Sequence, residues 1–182
     1  VSLGSVSTSA LGTAETAGIS GSVSKTALVA GTTNLDLVAG DLVINGASIG
    51  ASTSDSDTSS RILGASSSIS KAAAINAASE TTGVTATVTE NNVEGTALAT
   101  VAANAAANVT INGTTFSLTT AVTTDLSGTA SELGKVADVI NAKSDLTGVT
   151  ASVVATETGA GASAYRVDLT ATDGRNIDIV EA

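Results

Sequence analysis

The 182-residue chain contains no histidine, cysteine, methionine, tryptophan or proline, and only one phenylalanine and one tyrosine. Without histidine or cysteine, it can build no imidazole general base, thiolate nucleophile, thiolate zinc site or disulfide framework. The lack of proline argues against a disordered linker, a segment type usually enriched in it. Basic residues are scarce as well: seven Lys and Arg stand against 17 Asp and Glu, for a net charge of −10. They do not cluster, so neither a nucleic-acid footprint nor an anionic-lipid patch is expected. No apolar run approaches the roughly 20 residues of a membrane span, and the first residues lack the basic-then-apolar order of a signal peptide. The first residue is Val1 rather than methionine, which points to a fragment of a longer protein or a processed product.

What fills the chain instead is small: Ala 33, Thr 29, Ser 24 and Gly 18 occupy 104 positions. A fold built from so few large side chains has a thin core. An internal repeat shows where those side chains are used. Leu42-Val43-Ile44-Asn45-Gly46 recurs as Val109-Thr110-Ile111-Asn112-Gly113, and Ala74-Ile75-Asn76-Ala77 as Val139-Ile140-Asn141-Ala142. Thr82-Gly83-Val84-Thr85-Ala86 returns as Thr147-Gly148-Val149-Thr150-Ala151, each glycine standing seven residues after its asparagine.

Asn-Gly between alternating apolar residues is a strong hairpin signal, because both residues tolerate positive φ. A two-residue turn at Asn45-Gly46 pairs Ile44 with Ala47 and Leu42 with Ile49. The same turn at Asn112-Gly113 pairs Ile111 with Thr114 and Val109 with Phe116, which puts Phe116 in the core. Helical spacing follows at Ile62, Ala65, Ile69, Ala72 and Ile75, and again at Leu133, Val136 and Ile140. Thr129 and Glu132 form a capping box before the second helix, with Gly148 as its C-terminal stop and Gly83 in the same role for the first. The stripes do not superpose fully, since aligning the Ile-Asn pairs sets Ile69 on Gly134. Alternation at Val84, Ala86 and Val88, and at Val149, Ala151 and Val153, predicts a strand after each glycine.

Each unit therefore reads hairpin, loop, helix, strand, giving an α+β fold of two similar units with short helices packed on small, mainly antiparallel sheets. Two further hairpins are expected. One joins Leu35–Val38 to Leu42–Ile44 through Ala39-Gly40-Asp41. The other joins Tyr165–Ala171 to Arg175–Val180 through Thr172-Asp173-Gly174, pairing Leu169 with Ile177 and Val167 with Ile179. The chain divides into a lead-in or edge strand (1–33), a first unit (34–93), a connector (94–108) whose Ala97–Ala107 stretch suits a short, weakly anchored helix, and a second unit with the C-terminal hairpin (109–182).

Ile44-Asn45-Gly46 with Ile75-Asn76 and Gly83, and Ile111-Asn112-Gly113 with Ile140-Asn141 and Gly148, resemble the flagellin hook IN motif of bacterial flagellins. The first motif spans about residues 41–88 and the second about 109–154. The tail from Tyr165 to Ile177 is similar to the strand pair that often follows the motif. The resemblance implies a filament subunit whose terminal helices build the filament and whose variable central region projects into solvent. Long terminal helices are not found in this chain. It therefore resembles the outer domains alone, extracellular on the filament surface, with other flagellin subunits as partners through terminal regions missing from it. The fragment itself is expected to be monomeric, with no nucleic-acid, membrane or cofactor partner. Hook-associated junction and cap proteins also carry the motif, and an adhesin-like binding module is a second class. With only Tyr165 and Phe116 as aromatics, the side chains that dominate binding hot spots are few.

Four motifs compete with this architectural reading. Ser68-x-x-Lys71 matches the nucleophile motif of penicillin-recognising enzymes, but its partner motifs S-D-N and K-T-G are missing. Asp55 and Asp57 have calcium-loop alternation, but Ser59 and Ser60 stand where an acid or amide and a glycine belong. Asn108-Val109-Thr110 and Asn112-Gly113-Thr114 fit the N-glycosylation pattern, which the hairpin explains without a glycan. The Ser52–Ser60 loop offers hydroxyl acceptors for the O-glycosylation that the flagellin resemblance implies as an option. No catalytic, cofactor or metal site is assigned, and the chain is not expected to be an enzyme.

Overall fold

The computed structural model of the chain describes residues 35–97, 108–118, 130–158 and 162–181. The lead-in, most of the connector, its Ala97–Ala107 helix beyond Ala97, Thr129 and the side chain of Glu132 lie outside the described residues. The fold is α+β, with small antiparallel sheets. Among the described residues, strand β1 (Val43–Ile44) pairs only with β2 (Ala47–Ser48). Strands β3 (Asn91–Val93), β7 (Ala162–Ala171) and β6 (Thr150–Thr158) form a second sheet with β7 central. Strands β5 (Thr114–Ser117), β4 (Asn108–Ile111) and β8 (Ile179–Glu181) form a third with β4 central.

Both Asn-Gly hairpins have the register their alternation predicts. Ile44 faces Ala47, Val109 faces Phe116 and Ile111 faces Thr114. The turn residues take left-handed φ throughout: 50° at Asn45, 83° at Gly46, 46° at Asn112 and 82° at Gly113. Leu42 and Ile49 close the first hairpin through the Ile49 N–H, which donates to the Leu42 carbonyl at 2.8 Å.

The first helix differs from expectation at its start, and both helices differ at their C-terminal ends. Helix α1 covers Ser68–Ala77 and does not begin at Ile62. Leu63 sits at φ 54°, where an L-residue cannot continue a right-handed helix. A 3₁₀ turn over Gly64–Ser66 follows, and Ser67 then caps α1 by accepting the Ser70 N–H. Helix α3 covers Ala130–Asn141 and packs over β6 and β7, burying Leu133, Ala137 and Ile140. Gly83 and Gly148 do not stop these helices directly. Each caps a separate one-turn helix, α2 (Ser79–Thr82) and α4 (Ser144–Thr147), with φ of 69° in both cases.

Three strand expectations are corrected. Residues 84–88 form no strand and join no ladder among the described residues, whereas their counterpart β6 is paired along its whole length by β7. The segment 35–38 does not pair with Leu42–Ile44. Its turn forms, but Leu37 accepts from Ser52 N–H and Gly40 donates to Ile49 O, so the arm runs beside residues 49–52. The C-terminal hairpin is absent, although Gly174 closes the expected turn at φ 77° with its N–H on Ala171 O. Both edges of β7 are occupied, with Leu169 facing Ala151 and Val93, so residues 175–178 cross away and Ile179 pairs with Ile111.

The core lies in the second unit, where Ile111, Phe116, Ile140, Val149 and Ile177 pack together. Lys143 stands with its Nζ 5.2 Å from the Phe116 ring centroid and donates to Thr115 O. Truncating Phe116 to alanine should cost about 3–5 kcal/mol in urea unfolding. The Val43→Ala change on the exposed face of β1 should stay within about 0.5 kcal/mol.

Candidate functional site

The residues of the repeated motif converge on one structure, formed twice. At the end of α1, the Asn76 carboxamide turns toward the segment beyond Gly83. Its Oδ1 accepts the Ala86 N–H at 2.7 Å and its Nδ2 donates to the Ala86 carbonyl at 3.0 Å. Asn141 treats Ala151 alike, at 2.7 and 2.9 Å. An asparagine side chain is a peptide group on a short tether, so it can pair with one backbone residue as a neighbouring strand would. The hairpin asparagines complete the joint. Asn45 Nδ2 donates to Thr82 O and Asn112 Nδ2 to Thr147 O, both at 2.8 Å, fastening each turn to a carbonyl of a one-turn helix.

Thr82 and Thr147 are nearly fully buried, and each hydroxyl accepts the N–H two residues on, from Val84 and Val149, at 3.1 Å. These threonines belong to the joint as much as the asparagines do. Their recurrence in the Thr-Gly-Val-Thr-Ala blocks was the signal for them. Gly83 and Gly148 supply the left-handed step that lets the chain double back, with N–H bonds to Ser79 O and Ser144 O at 2.7 Å. The isoleucines divide by copy: Ile111 and Ile140 are buried, whereas Ile44 and Ile75 are half-buried.

A polar seam joins the two units, and nothing in the repeat announces it. Asp178, with its side chain 1% exposed, pairs with Arg61 at 2.9 Å, and its N–H donates to Asn112 Oδ1. Asn176 is buried and donates from Nδ2 to both Ile62 O and Leu63 O, holding the left-handed Leu63 in place. Asn91 reaches Arg175 O, and Ser68 Oγ donates to Gly174 O at 3.0 Å. Ser68, the serine of the Ser-x-x-Lys pattern, thus commits its hydroxyl to a main-chain carbonyl. Asp57 Oδ1 accepts the Ser59 and Ser60 N–H groups at 2.9 Å and shapes their turn. Asn112 spends both ends of its carboxamide within the fold.

Two carboxylates sit below their ordinary range. Burial pushes Asp57 up, but the Ser60 and Ser67 hydroxyls and the Ser60 and Ser59 amides outweigh it. Burial likewise raises Asp173, while hydrogen bonds and charge from Arg175, whose Nη2 is 2.7 Å away, draw it down. A cleft of about 560 Å³ opens between the 35–42 arm, α1 and residues 86–92, with Leu35, Ile75 and Val88 beside Lys71, Asp36 and Glu90. Among the described residues, no three His, Cys, Asp or Glu side chains gather as a metal site, and no helix is long and apolar enough to cross a membrane. Comparisons of the chain with family models, curated proteins and solved structures produced no match.

Replacing Asn141 with alanine should lower stability by about 1–3 kcal/mol in urea unfolding, because the Ala151 amide and carbonyl lose their partner in a part-buried site. Asn141→Asp at neutral pH should cost at least as much, since a carboxylate oxygen then faces the Ala151 carbonyl. Acid should also weaken the fold. Because Asp57 and Asp173 are depressed when folded, their contribution is complete above the ordinary aspartate value of 3.8 and is lost as pH falls below it, through the folded values. Urea midpoints measured through that range should fall less steeply for Asp57→Asn than for the parent.

Proposed function

We propose that the chain is a structural, surface-exposed outer region of a bacterial flagellar filament subunit. The observation that carries this reading is the doubled joint. The four asparagines that resemble those of the hook IN motif make the same hydrogen bonds in both copies. A motif whose side chains are spent on backbone groups serves architecture, and its repetition extends the solid surface a subunit presents.

The composition supports the same role. Seventeen acids against seven bases keep such a surface soluble and mutually repelling, and Ala, Ser, Thr and Gly cover it with little hydrophobic area. The region would thicken the filament exterior and set its charge and antigenicity, while terminal segments outside this chain make the subunit contacts.

Antibodies raised against the purified chain and used for immunogold labelling of intact source cells test the assignment. Gold should decorate filaments along their length. Label confined to the hook–filament junction or the filament tip would replace the filament reading with a hook-associated one. Label on the cell body without flagella would replace it with an adhesin.

A further inference from the structure

The two Asn-Gly turns are chemically alike and structurally unequal, and the inequality points to a modification site. Asparagine before glycine is prone to attack by the glycine backbone nitrogen on its own side-chain carbonyl. Both turns carry Ile-Asn-Gly, so their intrinsic reactivity is matched. What differs is how firmly each is held. Asn112 is tied at both ends, Nδ2 to Thr147 O and Oδ1 to the Asp178 N–H, and its own N–H donates to Asp178 O at 2.9 Å. Its strand β4 is flanked on both sides, and the Arg61 side chain lies over Gly113, with Nε 2.6 Å from where a Cβ would stand.

Asn45 is exposed and, among the described residues, is tied through Nδ2 to Thr82 O alone. Its hairpin is a two-strand, two-residue ladder, a structure marginal by itself, and Gly46 has open space around it. Left-handed turn geometry must open before the Gly46 nitrogen can reach Asn45 Cγ, and the first hairpin has less to break in doing so.

We propose that Asn45 is a site of spontaneous deamidation in the folded protein, from which Asn112 is protected. The Gly46 nitrogen loses its proton to base and bonds to Asn45 Cγ. The Cγ–Nδ2 bond breaks and ammonia leaves, giving a cyclic imide. Water then opens the ring: cleavage at Cγ gives aspartate, and cleavage at the backbone carbonyl gives isoaspartate. Either product replaces the amide donor to Thr82 O with a carboxylate, so the hairpin is released from α2 and the molecule carries a one-way mark of its age.

The test is peptide mapping by mass spectrometry of the purified, intact chain during prolonged incubation in warm, mildly alkaline buffer, with isoaspartate read by enzymatic methylation. In the folded protein, acid at position 45 should accumulate at least roughly tenfold faster than at 112, as expected when opening the second turn breaks additional hydrogen bonds. In concentrated urea the two rates should converge, and Arg61→Ala should raise the rate at Asn112. Equal rates in the folded chain, faster loss at Asn112, or a difference that persists in urea would overturn the proposal.

Discussion

The structure depends on an asparagine side chain standing in for a strand. At Ala86 and at Ala151, a carboxamide from the end of a helix supplies both a donor and an acceptor to one backbone residue. That contact fixes the angle at which the chain leaves the helix, which sets where the one-turn helix presents its last carbonyl. The hairpin asparagine docks there. Hairpin, helix and outgoing segment are thus locked through backbone groups, with little demand for bulky side chains. For a chain made mostly of Ala, Thr, Ser and Gly, this is a workable solution, because buried backbone groups must be paired in any case.

The two copies use the joint under different loads. In the second unit it sits on a core containing Phe116, Ile111 and Val149, and β6 has β7 as a partner. In the first, the matching segment has no ladder among the described residues, and α1 rests against the 3₁₀ turns at 54–56 and 64–66. There the support is polar: Asp57 orders its turn, Asn176 gathers the Ile62 and Leu63 carbonyls, and Arg61 reaches the buried Asp178. The first unit is therefore held by the second. The Arg61–Asp178 pair joins an exposed guanidinium to a buried carboxylate and serves position more than stability, since desolvating Asp178 offsets much of the attraction.

Much of this was legible in the sequence where the signal was local. The Asn-Gly turns, their registers and the burial of Phe116 follow from turn chemistry and alternation over a few residues. The Thr-Gly-Val blocks marked the joint, although not that the threonines would be its buried acceptors. The start of α1 was not legible, because the Ile62–Ile75 spacing is helical while Leu63 is held left-handed by Asn176, more than a hundred residues away. The C-terminal hairpin failed for the same kind of reason. Alternation at Ile177 and Ile179 specifies a strand face but not its neighbour, and β7 was already taken on both sides by Val93 and Ala151 through its Leu169. Arg61, Asn176 and Asp178 belong to none of the repeated sequence blocks and have no local pattern that foretells their meeting.

The most direct test of the joint is amide hydrogen exchange at Ala86, whose N–H lies in a segment with no strand ladder among the described residues and donates to Asn76 Oδ1. If the carboxamide replaces a strand, Ala86 should be protected well above Thr85 and Thr87 in the native protein. It should lose that protection in Asn76→Ala while Ala151 keeps its own. An Ala86 amide that exchanges as fast as its neighbours in the parent chain, or one unchanged by the substitution, would contradict the account.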